Sequence, residues 1–449
     1  MNPVSLDYQL QTYRAAYRPN FTGSYSYSNR LTPSNNILDG VASVTNTGQS
    51  FNTGVSQVLR WYGGPSVSAS FSNSRSATNN VTARLNPSYN SGLSFSVNMQ
   101  LLNGFKIDSN RNNFRTFPIT REIADLTLLA AIESTKNSVR VAYWQLRSAI
   151  EQIEISRRAL EIAKKSYADS LIRVEIGTAA PIDTVQFDTQ VAQNEQSYLA
   201  AQIGWRTAEL NFKRLLVSGT DDELYNKTIN PTDLPNLSVQ RVDIQAALTR
   251  ALAERTDVVI SRKDLEVSRL NLDLTKGALR PNLSFNAGYS ASGQGGTEHS
   301  GGITIPGGYG DALSDLTSFS KPQWNLGFNI SYRLGQLSEK AAYARSLISI
   351  DQAVARIKVQ ELTVSTAVIN AGLNVENAYK LYQASVKSRE AATRQADAAQ
   401  VRFDNGLLTN FEVVQTQNTL TSARLSELQR IIAYMNALAE FERVQKVGG

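Results

Sequence analysis

The stretch Ile119–Ile176 decides the fold, and it reads ITREIADLTLLAAIESTKNSVRVAYWQLRSAIEQIEISRRALEIAKKSYADSLIRVEI. It contains neither glycine nor proline, and as a single helix it would be about 87 Å long at ~1.5 Å per residue. Its apolar residues recur at every seventh position, at Ile132, Val139, Leu146, Ile153, Leu160, Tyr167 and Val174. A strict seven-residue repeat keeps one stripe of a helix against a partner helix. The stretch therefore predicts a long helix packed along its length against other helices, although a simple dimeric coiled coil has the same pattern.

A tight reversal follows this helix and recurs later in the chain. Pro181 suits the first position of a returning helix, which we expect to run from about 182 to 217. The segment RVEIG at 173–177 matches RFDNG at 402–406, and DTVQ at 183–186 matches EVVQ at 412–415, both at an offset of 229 residues. Two long antiparallel helix pairs with matching tips indicate a duplicated unit.

Strands are predicted between the helices of each half. The phrase A-x-R-P-N at 16–20 and again at 278–282 opens a stretch that alternates apolar and small polar residues. The predicted first repeat is 1–217, with strands 19–29, 51–59, 65–73 and 91–102 and helices about 116–176 and 182–217. A connector at 218–242 follows, and the second repeat is 243–449, with helix 243–277, strands 282–292 and 323–334, and helices about 336–404 and 410–446. The first repeat lacks most of the helix that should precede its strands, so we expect a truncated or mis-started N-terminus without its signal peptide.

The strand pattern is typical of a transmembrane β-barrel. In 93–101, for example, Leu93, Phe95, Val97, Met99 and Leu101 alternate with serine, asparagine and glutamine. An apolar outer face, a small polar inner face and alternately long and short connections are the signature of such barrels. A soluble sandwich with one solvated face is the alternative, but strands separated by 70-residue helices have few partners within it. One chain has too few strands to close a barrel around a pore, which predicts a ring oligomer.

Composition excludes several other functions. The net charge is +6, but the basic residues are interspersed with acidic ones along the helices and follow no nucleic-acid-binding motif. The chain has no cysteine and one histidine, His299, in a glycine-rich segment. We therefore predict no disulfide, no metal site, no cofactor, no catalytic residues and no nucleic-acid partner. No apolar run is long enough for a transmembrane helix.

The duplicated order of these phrases resembles the TolC-like family of bacterial outer-membrane efflux channels. The resemblance is carried by the two A-x-R-P-N phrases, the AYWQL segment at 142–146 and the two tips. It implies a homotrimer in which each subunit gives four strands to a shared outer-membrane barrel, while its helices form a coiled-coil tunnel across the periplasm. It also implies a periplasmic adaptor protein that docks on the tips and an inner-membrane pump. The extra hairpin near 51–72 departs from the four strands, and the sequence does not decide whether it joins the barrel.

The tips contain the candidate functional residues. By motif position, the resemblance assigns the closed tunnel end to Glu412, with Gln415 at the next inward position. A ring of three such carboxylates would attract cations and resist tight closure. Within the sequence itself, however, Thr409 and Glu412 also form a capping box, so a local role for Glu412 stays open. Asp183 either holds the tips closed or only favours its helix N-terminus.

Five further tip residues are candidates for the adaptor-docking surface, although glycine is also what a tight turn requires. These residues are Gly177, Thr178, Gly406, Leu407 and Thr409. The sequence therefore predicts an outer-membrane export channel that an adaptor and a pump open at its periplasmic end. A soluble coiled-coil scaffold without a pore is the alternative function.

Overall fold

The computed structural model describes residues 3–34, 37–178, 180–233, 235, 237–238, 242–300 and 302–448. The chain divides into two compact units, and each draws on both halves of the sequence. The first unit comprises Met1–Ala124 and Lys263–Val354, and the second comprises Asp125–Arg262 and Ala355–Gly449. The elements in chain order are α1 (Pro3–Ala15), β1 (Asn20–Pro33), β2 (Ser43–Val58), β3 (Ser66–Thr78), β4 (Leu85–Gln100), α2 (Ser109–Glu175), α3 (Pro181–Leu216), α4 (Glu223–Asn226), α5 (Ile244–Glu254), α6 (Thr256–Ala278), β5 (Asn282–Ser300), β6 (Ile303–Ile305), α7 (Tyr309–Thr317), β7 (Pro322–Ser331), α8 (Leu337–Asp404) and α9 (Asn410–Lys446).

The first unit is built on one antiparallel sheet. Its strands follow the order β1-β2-β3-β4-β5, and β5 then pairs with β7 along its first half and with β6 near its end. Each register places apolar residues opposite apolar residues, as in the pairs Tyr25–Phe51 and Phe95–Tyr289. The opposite face carries serine pairs, and the hydroxyls of Ser70 and Ser94 are 2.6 Å apart. The sheet therefore has one apolar face and one face of hydroxyls and amides.

The hairpin near 51–72 lies inside this sheet. Strand β2 pairs with β1 from Ser43 to Ser56, and β3 pairs with β4 from Ser66 to Ser76. The predicted strands were too short, because β2 begins at Ser43 rather than at 51, and β3 continues to Thr78 rather than to 73. Serine, threonine and asparagine suggested a loop there, but in a strand their small side chains occupy the polar face.

The predicted strand 282–292 was also too short, because the glycine-rich segment after it continues the strand. Strand β5 continues to Ser300, and the imidazole Nδ1 of His299 lies 3.2 Å from the Thr304 hydroxyl across the hairpin to β6. Helix α7 packs on β5 at Gly293, where a Cβ atom would lie 2.0 Å from the Ala312 carbonyl oxygen. Glycine in this segment therefore allows a helix to lie directly on the sheet.

The second unit is held together by helix packing. One cluster joins α5, α6, α8 and α9 and contains the fully buried Val258, Val364 and Val368. Another joins α2 to α3, where Leu146 packs against Phe212. The predicted seven-residue stripe is only partly buried in one chain, because Leu146 has no exposed surface while Ile132 is 44% exposed. Within the described residues, no helix combines the length and the apolar character needed to cross a bilayer.

The predicted helix 243–277 is two helices, α5 and α6. The chain is extended at Arg255, with φ −62° and ψ 130°. The Arg255 side chain is buried, and it donates to the Val444 carbonyl oxygen at 2.9 Å and to the Asp257 carboxylate at 3.0 Å. These contacts hold the chain in its extended conformation between α5 and α6. The break was not predicted because no glycine or proline marks it in the sequence.

A buried ion pair fixes the connector to α3. Residues 234, 236 and 239–241 of the predicted connector lie outside the described residues. The carboxylate of Glu209 accepts from the backbone N–H of Ile229 at 3.1 Å and lies 3.2 Å from the ammonium of Lys213. Lys213 also donates to the Tyr225 carbonyl oxygen at 3.0 Å. Burial would raise the pKa of Glu209, but the Ile229 N–H and the Lys213 ammonium outweigh burial and lower it.

Both helix tips close in the same way. Gly177 and Gly406 have φ values of +77° and +71°. The following N–H groups, of Thr178 and Leu407, donate to the carbonyl oxygens of Arg173 and Arg402 at 2.8 and 2.9 Å. This left-handed C-terminal cap satisfies the last helical carbonyls, and it repeats at atomic level the match seen in the sequence.

The Glu209–Lys213 pair gives a pH-dependent prediction. Glu209→Gln leaves the Lys213 ammonium buried without its partner and is expected to cost about 3–5 kcal/mol near pH 7. Because folding lowers the pKa of Glu209, its stabilising contribution is present above the unfolded value of about 4.3 and is lost as the pH falls through the folded value. Thermal unfolding followed by helical circular dichroism should show a wild-type advantage that disappears in acid. The control is Glu223→Gln, because Glu223 pairs with Lys227 on the exposed surface; an equal loss in both variants would contradict the account.

The tip caps give a second prediction. Around both Gly406 and Gly204 no heavy atom lies within 4 Å of an added Cβ, but only Gly406 has a positive φ. Gly406→Ala should lower stability by about 1–2 kcal/mol because of left-handed strain, whereas Gly204→Ala in α3 should raise it by about 0.5–1 kcal/mol through helix propensity. Thermal unfolding of the two variants measures both signs, and a neutral Gly406→Ala would refute the cap.

Candidate functional site

The two tips present apolar side chains to solvent. Leu407 is 75% exposed at the tip between α8 and α9, and Phe411 beside it is also exposed. At the tip between α2 and α3, Ile176 and Ile182 are exposed in the same way. Large apolar side chains exposed together on a surface indicate an interaction site.

Glu412 lies in the first turn of α9 and forms the predicted capping box. Its carboxylate accepts from the Thr409 backbone N–H at 3.1 Å and from the Thr409 hydroxyl at 2.8 Å. These two hydrogen bonds lower the pKa of Glu412. The side chain is exposed, as is that of Gln415 one turn further along. Glu412 is therefore a solvent-facing carboxylate that stays ionised at neutral pH.

Asp183 has the corresponding position at the other tip. It is half-buried in the first turn of α3, and its carboxylate accepts from the Ala180 backbone N–H at 3.2 Å. Pro181 is the first helical residue, as the sequence predicted. The described contacts of Asp183 are those of a helix cap.

The structure brings the two tips together through residues that the sequence did not single out. The guanidinium of Arg173 lies 4.4 Å above the centre of the Phe403 ring, and it is 3.7 Å from the Asp404 carboxylate. The side-chain amides of Gln190 and Asn418 exchange two hydrogen bonds of 3.0 Å between α3 and α9. Arg173 belongs to the repeated RVEIG phrase, which was the only signal for its role.

The predicted docking residues are divided between these tips. Gly177 and Thr178 are exposed at the first, and Gly406, Leu407 and Thr409 are exposed at the second. The contacts of Arg173 and Gln190 hold the two sets in one region of the second unit. The tips therefore form one exposed, partly apolar surface with a carboxylate, Glu412, beside it.

The hydroxyl face of the sheet is a candidate water-lined surface. Besides the Ser70–Ser94 pair, the hydroxyls of Ser26 and Ser50 are 2.8 Å apart, and those of Ser68 and Ser96 are 2.7 Å apart. The other face carries exposed Phe95, Trp324 and Phe328. An apolar face with aromatic residues opposite a small polar face is suited to lipid on one side and water on the other.

Solved structures with the same fold are outer-membrane channels. The chain is similar to the CmeC channel of Campylobacter jejuni, with 15% identity, a TM-score of 0.68, and 99% of this chain and 81% of that chain covered. VceC of Vibrio cholerae gives 13% identity and a TM-score of 0.68, with 99% and 91% covered. The open-state MtrE channel of Neisseria gonorrhoeae gives 15% identity and a TM-score of 0.66, with 99% and 84% covered.

The family assignment comes from the sequence comparison. A search of curated protein sequences finds no significant match. The family described as outer membrane efflux protein matches residues 57–217 and 247–444, which is most of the chain. The chain therefore belongs to the outer membrane efflux protein family, and it is an outer-membrane channel of an efflux system rather than a soluble coiled-coil scaffold.

Proposed function

We propose that the chain forms a homotrimeric export duct whose periplasmic tips dock an adaptor protein linked to an inner-membrane pump. The observation that carries this proposal is the pairing of a two-faced sheet with a second unit that ends in an exposed, partly apolar tip surface. A single sheet with open edges does not enclose a path for water, so copies of the chain have to supply the rest of the barrel. The duct has no catalytic role and depends on its partners for energy.

Glu412 is the proposed charge at the pore aperture. Three copies around a three-fold axis would place three ionised carboxylates close together, and such a ring favours cations over anions. The Thr409 hydrogen bonds lower the pKa of Glu412 in the single chain, and so oppose the rise that repulsion within a ring of three carboxylates would cause. Gln415 would be the next, uncharged ring, and Asp183 would help to hold the neighbouring tip in its closed position.

The tip contacts also suggest how the duct opens. Arg173 joins the α2 end to the α8 end through Phe403 and Asp404. Both partners lie on another helix, so a relative movement of the two helix pairs breaks these contacts without unfolding either helix. Docking of the adaptor would shift the equilibrium between two packings of the same helices, as in other two-state transitions.

Replacing Glu412 by glutamine separates its charge from its capping role. Glutamine can still accept from Thr409, so Glu412→Gln should keep the helix start while abolishing the carboxylate ring. We expect reduced cation preference in planar-bilayer recordings, with a smaller loss of thermal stability than in Glu412→Ala. Glu412→Ala should lose both the charge and the cap, and it should unfold at a lower temperature than Glu412→Gln. An unchanged cation preference in Glu412→Gln would remove Glu412 from the aperture.

The docking surface is tested by a single apolar substitution. Leu407→Ser should weaken binding of the purified cognate adaptor at least tenfold, because a buried leucine contributes about 1.5–3 kcal/mol. Leu224→Ser is the matched control, since Leu224 is also exposed but lies in α4, beyond the far end of α3. Titration in detergent measures both affinities, and equal affinities would place the docking surface elsewhere.

A further inference from the structure

The sheet of one chain has more full-length strands than the resemblance to the family implies. Strands β1, β2, β3, β4, β5 and β7 each have 10 to 19 residues and pair side by side. The hairpin β2–β3 is hydrogen-bonded on both sides, to β1 and to β4, and so cannot be an appendage above the sheet. We propose that the hairpin is part of the transmembrane barrel, and that β7 of one protomer pairs with β1 of the next in a barrel of eighteen strands.

The two edges of the sheet are suited to each other. Almost every residue of β1 and of β7 is exposed, whereas most residues of β4 and β5 are at least half-buried. All neighbouring strands are antiparallel, and the number of long strands is even, so β1 and β7 run in opposite directions. Joining β7 to the β1 of another copy therefore continues the antiparallel pattern. Unpaired strand edges do not occur in lipid, so a second copy is the occupant that each edge requires.

The internal repeat predicts the register of this junction. Strands β4 and β7 both lead to a glycine of positive φ, Gly104 and Gly335, which fixes their alignment at an offset of 231 residues. Strands β5 and β1 both begin at the asparagine of an A-x-R-P-N phrase, Asn282 and Asn20. Strand β4 is the last strand of the first repeat, and it pairs with β5, the first strand of the second repeat. We therefore use the register of the β4–β5 pair as the template for the pairing of β7 with β1 of the next protomer. The pair Asn98–Asn286 of that template corresponds to Asn329 opposite Ser24.

The faces of the two strands provide an independent check of this register. It places Phe328 opposite Tyr25 and Leu326 opposite Tyr27, and all four side chains are exposed in the single chain. The intervening polar residues, such as Asn329 and Ser24, then meet on the hydroxyl face. A slip of one residue would place apolar side chains opposite polar ones along the entire junction. The repeat and the face pattern therefore agree on the same pairing.

The strand count determines the width of the pore. The inference rests on the proposed trimer, because six strands from each of three protomers make eighteen, against twelve from four strands each. Barrel diameter grows roughly in proportion to strand number, and barrels of 16–18 strands leave an aqueous channel. The hairpin β2–β3 thus widens the outer-membrane part of the duct by about half.

Disulfide cross-linking in this cysteine-free chain tests the junction. The Leu101 N–H donates to the Leu283 carbonyl oxygen, so these two residues form a hydrogen-bonded pair. Hydrogen-bonded and non-hydrogen-bonded pairs alternate along an antiparallel ladder. The pair Asn98–Asn286, three positions further along, is therefore non-hydrogen-bonded. Such pairs have Cα atoms about 4.5 Å apart, within the range that a disulfide requires. Under mild oxidation of the full-length channel in membranes, Ser24→Cys with Asn329→Cys, and Ser28→Cys with Asn325→Cys, should each give covalent dimers and trimers.

The matched control combines the same four substitutions differently. Ser24→Cys with Asn325→Cys, and Ser28→Cys with Asn329→Cys, separate the thiols by four residues, about 13 Å along the strands. These crossed pairs should give at least tenfold less cross-linked product. The variant Asn98→Cys with Asn286→Cys checks the oxidation, because it should form a disulfide within one chain. The junction would be overturned if the matched pairs cross-linked no more strongly than the crossed pairs while native mass spectrometry still showed a trimer. That result would leave the proposed function standing. A wild-type channel that is not a trimer would overturn both.

Discussion

The structure depends on one constraint, that every backbone N–H and C=O group in a lipid environment needs a partner within the protein. A sheet meets this constraint only if its edges are also paired, and it then separates two solvents. The strands of this chain have the alternating residue pattern that such a sheet requires. In β4, Phe95 and Val97 point to one side and Ser96 and Asn98 to the other, and the registers keep this alternation across every pair of strands. The apolar face and the hydroxyl face are therefore properties of the whole sheet.

The chain is internally duplicated. Each half contributes strands and a helix pair, and the two helix pairs end in tips with the same left-handed glycine cap. Glu412 and Asp183 both begin the returning helix with a carboxylate that accepts a backbone N–H. The tips differ in what surrounds these carboxylates, because Glu412 is exposed to solvent whereas Asp183 is half-buried. The capping residue Glu412 thus also supplies a fixed negative charge at the solvent-exposed tip of the second unit.

The sequence predicted the elements that have a long and regular residue pattern. It did not predict features that depend on contacts with distant parts of the chain. The helices α8 and α9 and the start of β5 lie within one residue of their predicted positions because heptads and a repeated phrase mark them. The extension of β2 back to Ser43 was missed, since serine and threonine favour loops unless a neighbouring strand pairs with them. The break at Arg255 depends on a carbonyl group of α9, and the contact of Arg173 with Phe403 joins residues 230 positions apart. Contacts between distant segments leave no local pattern in a single sequence.

The central claim is that the sheet separates lipid from water, and single-cysteine labelling in β4 tests it most directly. Cysteine would be placed at Phe95, Ser96, Val97 and Asn98 in turn, and the channel would be treated in outer-membrane vesicles with a polar maleimide that does not enter lipid. The account predicts rapid labelling at positions 96 and 98 and protection at positions 95 and 97. Equal labelling at all four positions, or the reverse alternation, would contradict it.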